Sequence, residues 1–155
     1  MSHDYEQAMQ IALESAQSAA NLGEVPVGAL VLDSSGQVIG IGHNDREASH
    51  NPLGHAEVIA LAAAAEHLSS WRLDDCTLVV TLEPCTMCAG AAVQSRIARI
   101  VFGAFDEKAG AVGSLWDVVR DRRLPHRPEV ISGVLATECA QILSDFFATA
   151  RNIAT

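Results

Sequence analysis

The chain has 155 residues, is 49% hydrophobic and carries a formal charge of −9. It is one domain's worth of sequence with enough apolar content for a core without disulfide staples, and its acidity argues against a protein that coats nucleic acid through a general basic surface. No apolar run approaches membrane-spanning length, and Met1 to Glu6 lacks the basic-then-apolar pattern of a signal peptide, so a cytoplasmic protein away from the membrane is expected.

Residues 4–21 place Tyr5, Met9, Ala12, Leu13, Ala16 and Ala20 at helical spacing, with Gly23 as a stop. Residues 27–32 and 38–41 are short branched runs around Asp33-Ser34-Ser35-Gly36 and predict a hairpin. An unbroken alanine- and leucine-rich stretch predicts a helix over 56–68. A buried strand follows at 77–82, then a helix from Pro84 to about Ser95 and a strand at 99–102. Beyond a glycine-punctuated loop, a short helix is expected near 114–120. A brief strand at Val130 and Ile131 leads into a last helix on which Cys139, Ile142, Leu143, Phe146 and Ala150 keep helical spacing. That periodicity reads Cys139 and Phe146 as core. With no repeat or linker, residues 1–155 form one α/β domain, a three-layer α-β-α sandwich around a mixed five-stranded sheet.

Two fragments carry chemistry: His55-Ala56-Glu57, and Pro84-Cys85-Thr86-Met87-Cys88. Cysteines three apart at a helix start present both thiols on one face, where exposed amides favour thiolate. His55 and Glu57 are two apart and would diverge on a regular helix, so both can serve one site only if His55 stands at the helix entrance in non-helical backbone. The result is a zinc ion between two helix starts, bound by His55, Cys85 and Cys88, with one coordination position left open and Glu57 beside it to carry protons. Cys76 and Cys139 read instead as buried small hydrophobes. A structural zinc site would need a fourth ligand, for which His43, at a strand end, and His50, in a polar loop, are the candidates.

These fragments, with Glu24-Val25-Pro26-Val27-Gly28-Ala29, Ser95-Arg96-Ile97, Val101-Phe102-Gly103-Ala104, Gly113-Ser114-Leu115 and Leu143-Ser144-Asp145-Phe146-Phe147, resemble the bacterial tRNA adenosine deaminases over about residues 5–150, within the cytidine deaminase superfamily. The resemblance implies a zinc-dependent, usually homodimeric enzyme with one zinc per subunit and no organic cofactor, converting the wobble adenosine of a tRNA anticodon stem-loop to inosine. It implies that Asn44 hydrogen-bonds the flipped base, that the Ala56 backbone meets the base edge, that Val25 and Pro26 wall the pocket, and that Asp106 touches ribose or backbone. Phe105 and Pro125 depart from the family's arginine and asparagine, each removing an RNA contact.

Arg120, Arg122, Arg123 and Arg127 hold four of the ten basic residues and are either a charged surface or an RNA-facing patch. By their residue types alone, Asn44 and Asp106 are equally turn residues and Pro26 a strand start. Two other readings use the same kit: a deaminase of free guanine, cytosine or adenosine, which suits the acidic charge, and a non-catalytic zinc-stabilised module. Turnover by a Glu57 variant separates the module from the enzymes, and the substrate accepted separates the enzymes.

Overall fold

A computed structural model describes residues 3–154. In chain order the elements are α1 (His3–Asn21), β1 (Gly28–Leu32), β2 (Val38–His43), α2 (Ala56–Leu68), β3 (Thr77–Leu82), α3 (Thr86–Gln94), β4 (Arg99–Ala104), β5 (Glu129–Ile131) and α4 (Ala136–Ala154). The sheet order is β2-β1-β3-β4-β5. β1 is antiparallel to both β2 and β3, whereas β4 runs parallel to β3 and β5 parallel to β4.

Alternation along the central strands builds two cores. Leu78, Val80, Ile100 and Phe102 face one side with Ala60 and Ala64 of α2 and Ala92 of α3. Val79 and Val101 face the other, with Met9 and Ala12 of α1 and Cys139 of α4. The expected three-layer sandwich around a mixed five-stranded sheet is therefore present, α2 and α3 on one face and α1 and α4 on the other. Cys76 and Cys139 are both buried, as expected.

Close packing of α2 on β2 depends on glycine. A Cβ at Gly42 would stand 2.8 Å from the backbone nitrogen of Ala60, so α2 can approach this far only because the strand carries no side chain there.

Several elements differ from the sequence reading: β1 starts at Gly28 rather than Val27, and β4 runs on to Ala104 rather than ending at Phe102. β2 runs on to His43, because Gly42 and His43 still pair with Ala29 and Gly28. α3 starts at Thr86, one residue after Cys85, so Pro84 precedes the helix. The helix expected near 114–120 is absent; that stretch is a series of turns closed by a bridge between Val112 and Asp117. The physical reason is that its helix partners are taken elsewhere: Val118 N–H, which in a helix would donate to the Ser114 carbonyl, donates to the Ala111 carbonyl at 3.0 Å, and the Trp116 carbonyl, which would accept from Arg120, accepts the N–H of Gly113 at 2.8 Å.

Candidate active site

The topology brings distant residues to one edge of the sheet. β2, β3 and β4 end there at His43, Leu82 and Ala104, and antiparallel β1 begins there at Gly28. Asn44, Cys85, Asp106 and Val25 all emerge at this edge, the end of an α/β sheet where ligands bind. A cleft of about 360 Å³ opens among them, lined by Val25, Asn44, His55, Glu57, Cys85 and Asp106 together with residues the sequence did not single out.

Both helix entrances have the geometry the spacing demands. His55 is the N-cap of α2 with extended backbone (φ −88°, ψ 145°), which leaves Glu57 in the first turn. Cys85 is the N-cap of α3 (φ −74°, ψ 178°), and Cys88 lies within that helix's first turn. His55 Nδ1 is 3.6 Å from Cys85 Sγ and 3.4 Å from Cys88 Sγ. Together the three residues offer ligand atoms all within 4.8 Å of one another, a cluster that could hold a metal ion. Neither His43 nor His50 joins it among the described residues. His43 instead donates from Nδ1 to the carbonyl of Asn44 at 3.0 Å.

The site is electrostatically polarised. A hydrogen bond from Cys88, outweighing the effect of burial, takes the Cys85 thiol down to about 3, with further help from His55. Cys88, hydrogen-bonded to that thiolate, buried and near Glu57, is held far above the ordinary thiol range. The hydrogen bond to Cys85 raises His55. Glu57 is 4% exposed, and burial pushes its carboxyl up to about 7 against the opposing pull of a backbone hydrogen bond. A carboxyl poised near neutrality beside three atoms that could ligate a metal can take up a proton and give it back.

Other candidate residues divide. Asn44 lines the cleft, and its Oδ1 accepts the N–H of Ala56 at 3.0 Å, satisfying a free donor of the first turn of α2. Ala56 is fully buried and its N–H is thereby engaged. Asp106 lines the cleft while its Oδ1 accepts the N–H groups of Lys108 and Ala109. Pro26, expected as a wall beside Val25, is buried and lies outside the lining. None of the four arginines lines the cleft. Arg120 pairs with Asp117 at 2.9 Å and donates to the Val112 carbonyl, Arg123 pairs with Asp121 at 2.6 Å, and Arg127 donates to the carbonyl of Arg122.

Two residues were misread or passed over. Phe146, expected as core from its helical spacing, is half-buried, lines the cleft and meets Phe147 edge-on at 5.5 Å between ring centroids. Glu24 is 3% exposed and also lines the cleft; its carboxylate accepts the N–H groups of Arg46 at 3.2 Å, Glu47 at 2.8 Å and Ala48 at 2.9 Å. Its sequence signal was an acidic residue directly before the apolar run that opens the hairpin, and only the fold could supply its partners.

A sequence model of the MafB19-like deaminase family matches residues 3–151. The tRNA-specific adenosine deaminase of Haemophilus influenzae is 51% identical over 146 residues, 94% of this chain and 84% of the relative. A solved structure from work on A-to-I editing by tRNA:A34 deaminases at the wobble position superposes with a TM-score of 0.84 and 41% identity, covering 87% of this chain and 97% of the other. The guanine deaminase of Nitrosomonas europaea superposes with a TM-score of 0.78 at 26% identity, covering 92% and 84%. With a cytidine-deaminase-like fold and these matches across nearly its whole length, the chain belongs to the family of tRNA-specific adenosine deaminases.

Proposed function

We propose that this protein hydrolytically deaminates the wobble adenosine of a tRNA anticodon loop to inosine, using one zinc ion per subunit. The observation that carries the reading is the buried Glu57 beside the His55, Cys85 and Cys88 cluster at the base of an open cleft. The donor set fits zinc: tetrahedral bonds of about 2.3 Å to sulfur and about 2.05 Å to nitrogen put the two kinds of ligand atom about 3.5 Å apart. The separations of 3.6 Å and 3.4 Å match that value. A zinc ion held there supplies a Lewis acid that makes water nucleophilic at neutral pH.

The chain's own residues do the rest. Glu57 would take one proton of the attacking water and deliver it to the adenine ring nitrogen, where inosine keeps it, and would then move the second proton, from the hydroxyl now on the six-position carbon, to the amino group, which leaves as ammonia. Asn44, its oxygen fixed by Ala56, has its amide N–H groups left for the base. Val25 walls the cleft, and Asp106 sits at its rim to meet ribose or backbone. An anticodon loop suits the site because its bases are already partly unstacked. Pairing of two copies, cytoplasmic residence and an RNA-facing role for Arg120, Arg122, Arg123 and Arg127 are part of the same reading. No helix among the described residues is long and apolar enough to cross a membrane.

The likeness to a guanine deaminase and the charge of −9 favour one competing reading, a deaminase of free bases. Anticodon stem-loops, free adenosine and free guanine offered side by side, with products weighed by mass spectrometry, decide between them. Inosine in the stem-loop is the expected result. Deamination of free base or nucleoside with none in RNA would overturn the proposal.

A further inference from the structure

Glu83 stands between β3 and the ligand Cys85, is 2% exposed, and has no part in the chemistry described above. Its carboxylate is saturated by one distant segment. Oε1 accepts the N–H of Asp106 at 3.1 Å and the hydroxyl of Ser114; Oε2 accepts the N–H groups of Val112 and Ser114, each at 3.0 Å. These donors lie 23 to 31 residues away in sequence. The segment following β4 is shaped to reach it: a Cβ at Gly110 would lie 2.6 Å from Glu83 Oε1. Main-chain bonds run alongside, from Glu83 N–H to the Ala104 carbonyl at 2.9 Å and from Ala111 N–H to the Pro84 carbonyl at 2.8 Å.

The clamped segment holds one wall of the cleft. Asp106 and Ala109 both line it, and Asp106 Oδ1 in turn accepts the Ala109 N–H at 3.2 Å. Glu83 thus fixes Asp106, and Asp106 fixes Ala109. Beyond this the segment has little regular structure of its own, its single bridge joining Val112 to Asp117. A fully satisfied buried carboxylate is a rigid anchor because giving up any one donor strands a buried charge.

We infer that Glu83 is a positioning residue for substrate: its buried carboxylate sets the cleft wall carrying Asp106 and Ala109 in register with Cys85, so that the wall is in place before the nucleotide arrives. This role rests on the proposed function for its substrate, though not for its mechanical part. Replacing the carboxylate by an amide of the same shape sets an NH₂ group against N–H donors, so Glu83→Gln releases part of the wall without opening a cavity.

The test compares the zinc-loaded wild type with Glu83→Gln and Ser114→Ala, using an anticodon stem-loop as substrate and amide hydrogen exchange in its absence. In Glu83→Gln, exchange at Asp106, Val112 and Ser114 should quicken roughly tenfold, the scale of a lost hydrogen bond to a charged acceptor. KM for the stem-loop should rise roughly tenfold with kcat within about twofold, the signature of lost binding rather than lost chemistry. Zinc content should stay at the wild-type level. Ser114→Ala, which removes one side-chain donor, should show the same pattern more weakly and decides the matter if Glu83→Gln does not fold. Unchanged exchange and KM overturn the inference; so does a fall in kcat with zinc loss at constant KM, which would make Glu83 a support for the metal ligands. If the wild type leaves the stem-loop unchanged, the proposed substrate fails, while exchange still decides whether Glu83 holds the wall.

Discussion

The side-chain oxygen of Asn44 accepts the backbone N–H of Ala56 at 3.0 Å, tying the end of β2 to the first turn of the helix that carries Glu57. One side chain therefore serves a helix start and a cleft wall, and two substitutions separate those duties. Asn44→Ala loses the acceptor and should lower stability by about 1 kcal/mol, as loss of an N-terminal helix partner does. Asn44→Asp keeps an acceptor oxygen, and its charge suits a helix start, so its stability should stay near wild type. Both lose the amide donor, so both should raise KM for the RNA substrate. Urea denaturation beside steady-state kinetics checks the pair; a normal KM in Asn44→Asp would confine Asn44 to holding the helix.

Glu57→Gln preserves shape and removes the group proposed to move protons. Turnover should fall about 10²–10⁴-fold. Metal content should be retained, because the cluster that could hold the ion, His55, Cys85 and Cys88, does not include Glu57. Metal analysis on the same preparation used for single-turnover kinetics checks both halves.

Metal uptake should release protons from specific residues. At pH 7 Cys85, with its thiol near 3, is already a thiolate, whereas Cys88 is held protonated and His55 is raised above its ordinary value. Binding therefore displaces the proton of Cys88, while Cys85 has none to lose; at His55 the raised value means that proton competition extends to higher pH than at an ordinary imidazole. The sign follows: affinity should weaken as pH falls, because protons compete for those two ligands. Titration of the metal-free protein with zinc in weak buffer, reading proton release against pH, measures it. Release that does not depend on pH between 6 and 8, a range chosen to span about the ordinary imidazole value, would contradict the assigned proton positions.

Gly42→Ala probes the contact between α2 and β2. The added methyl would meet the backbone of α2, which has no flexible side-chain end to yield. Destabilisation of about 1–3 kcal/mol or more is expected from overpacking, and displacement of α2 would carry His55 and Glu57 with it. Thermal melts together with zinc affinity check this; loss of stability at unchanged zinc affinity would show that α2 tolerates the shift as a rigid body.

Reversing Arg122 and Arg123 to Glu tests the basic loop. Arg123 is paired with Asp121, so its charge is partly neutralised before RNA arrives. KM for the stem-loop should rise severalfold and the salt dependence of binding should flatten, with zinc content untouched. Kinetics identical to wild type across the salt range would remove these residues from RNA contact.

Residue type and short-range spacing were enough to read the candidate chemistry and the layers. Period-2 runs and unbroken alanine-rich stretches fix which faces are buried, and residue type at short spacing fixes which atoms can hold a metal, so His55, Glu57, Cys85 and Cys88 and the α-β-α order were legible. Local pattern failed where backbone donors find partners far along the chain. The stretch 114–120 has helical-looking composition, yet its Val118 N–H goes to the Ala111 carbonyl and its Ser114 is held by Glu83, 31 residues away, a partner that no short window of sequence contains. Phe146 shows the same limit: its spacing marks a face of α4, but whether that face meets core or cleft depends on what packs above it. That Glu24 and Glu83, acidic residues by composition, are buried anchors for loops beside the cleft is visible only in the folded chain, because burying a carboxylate requires several donors to converge and convergence is a property of the fold.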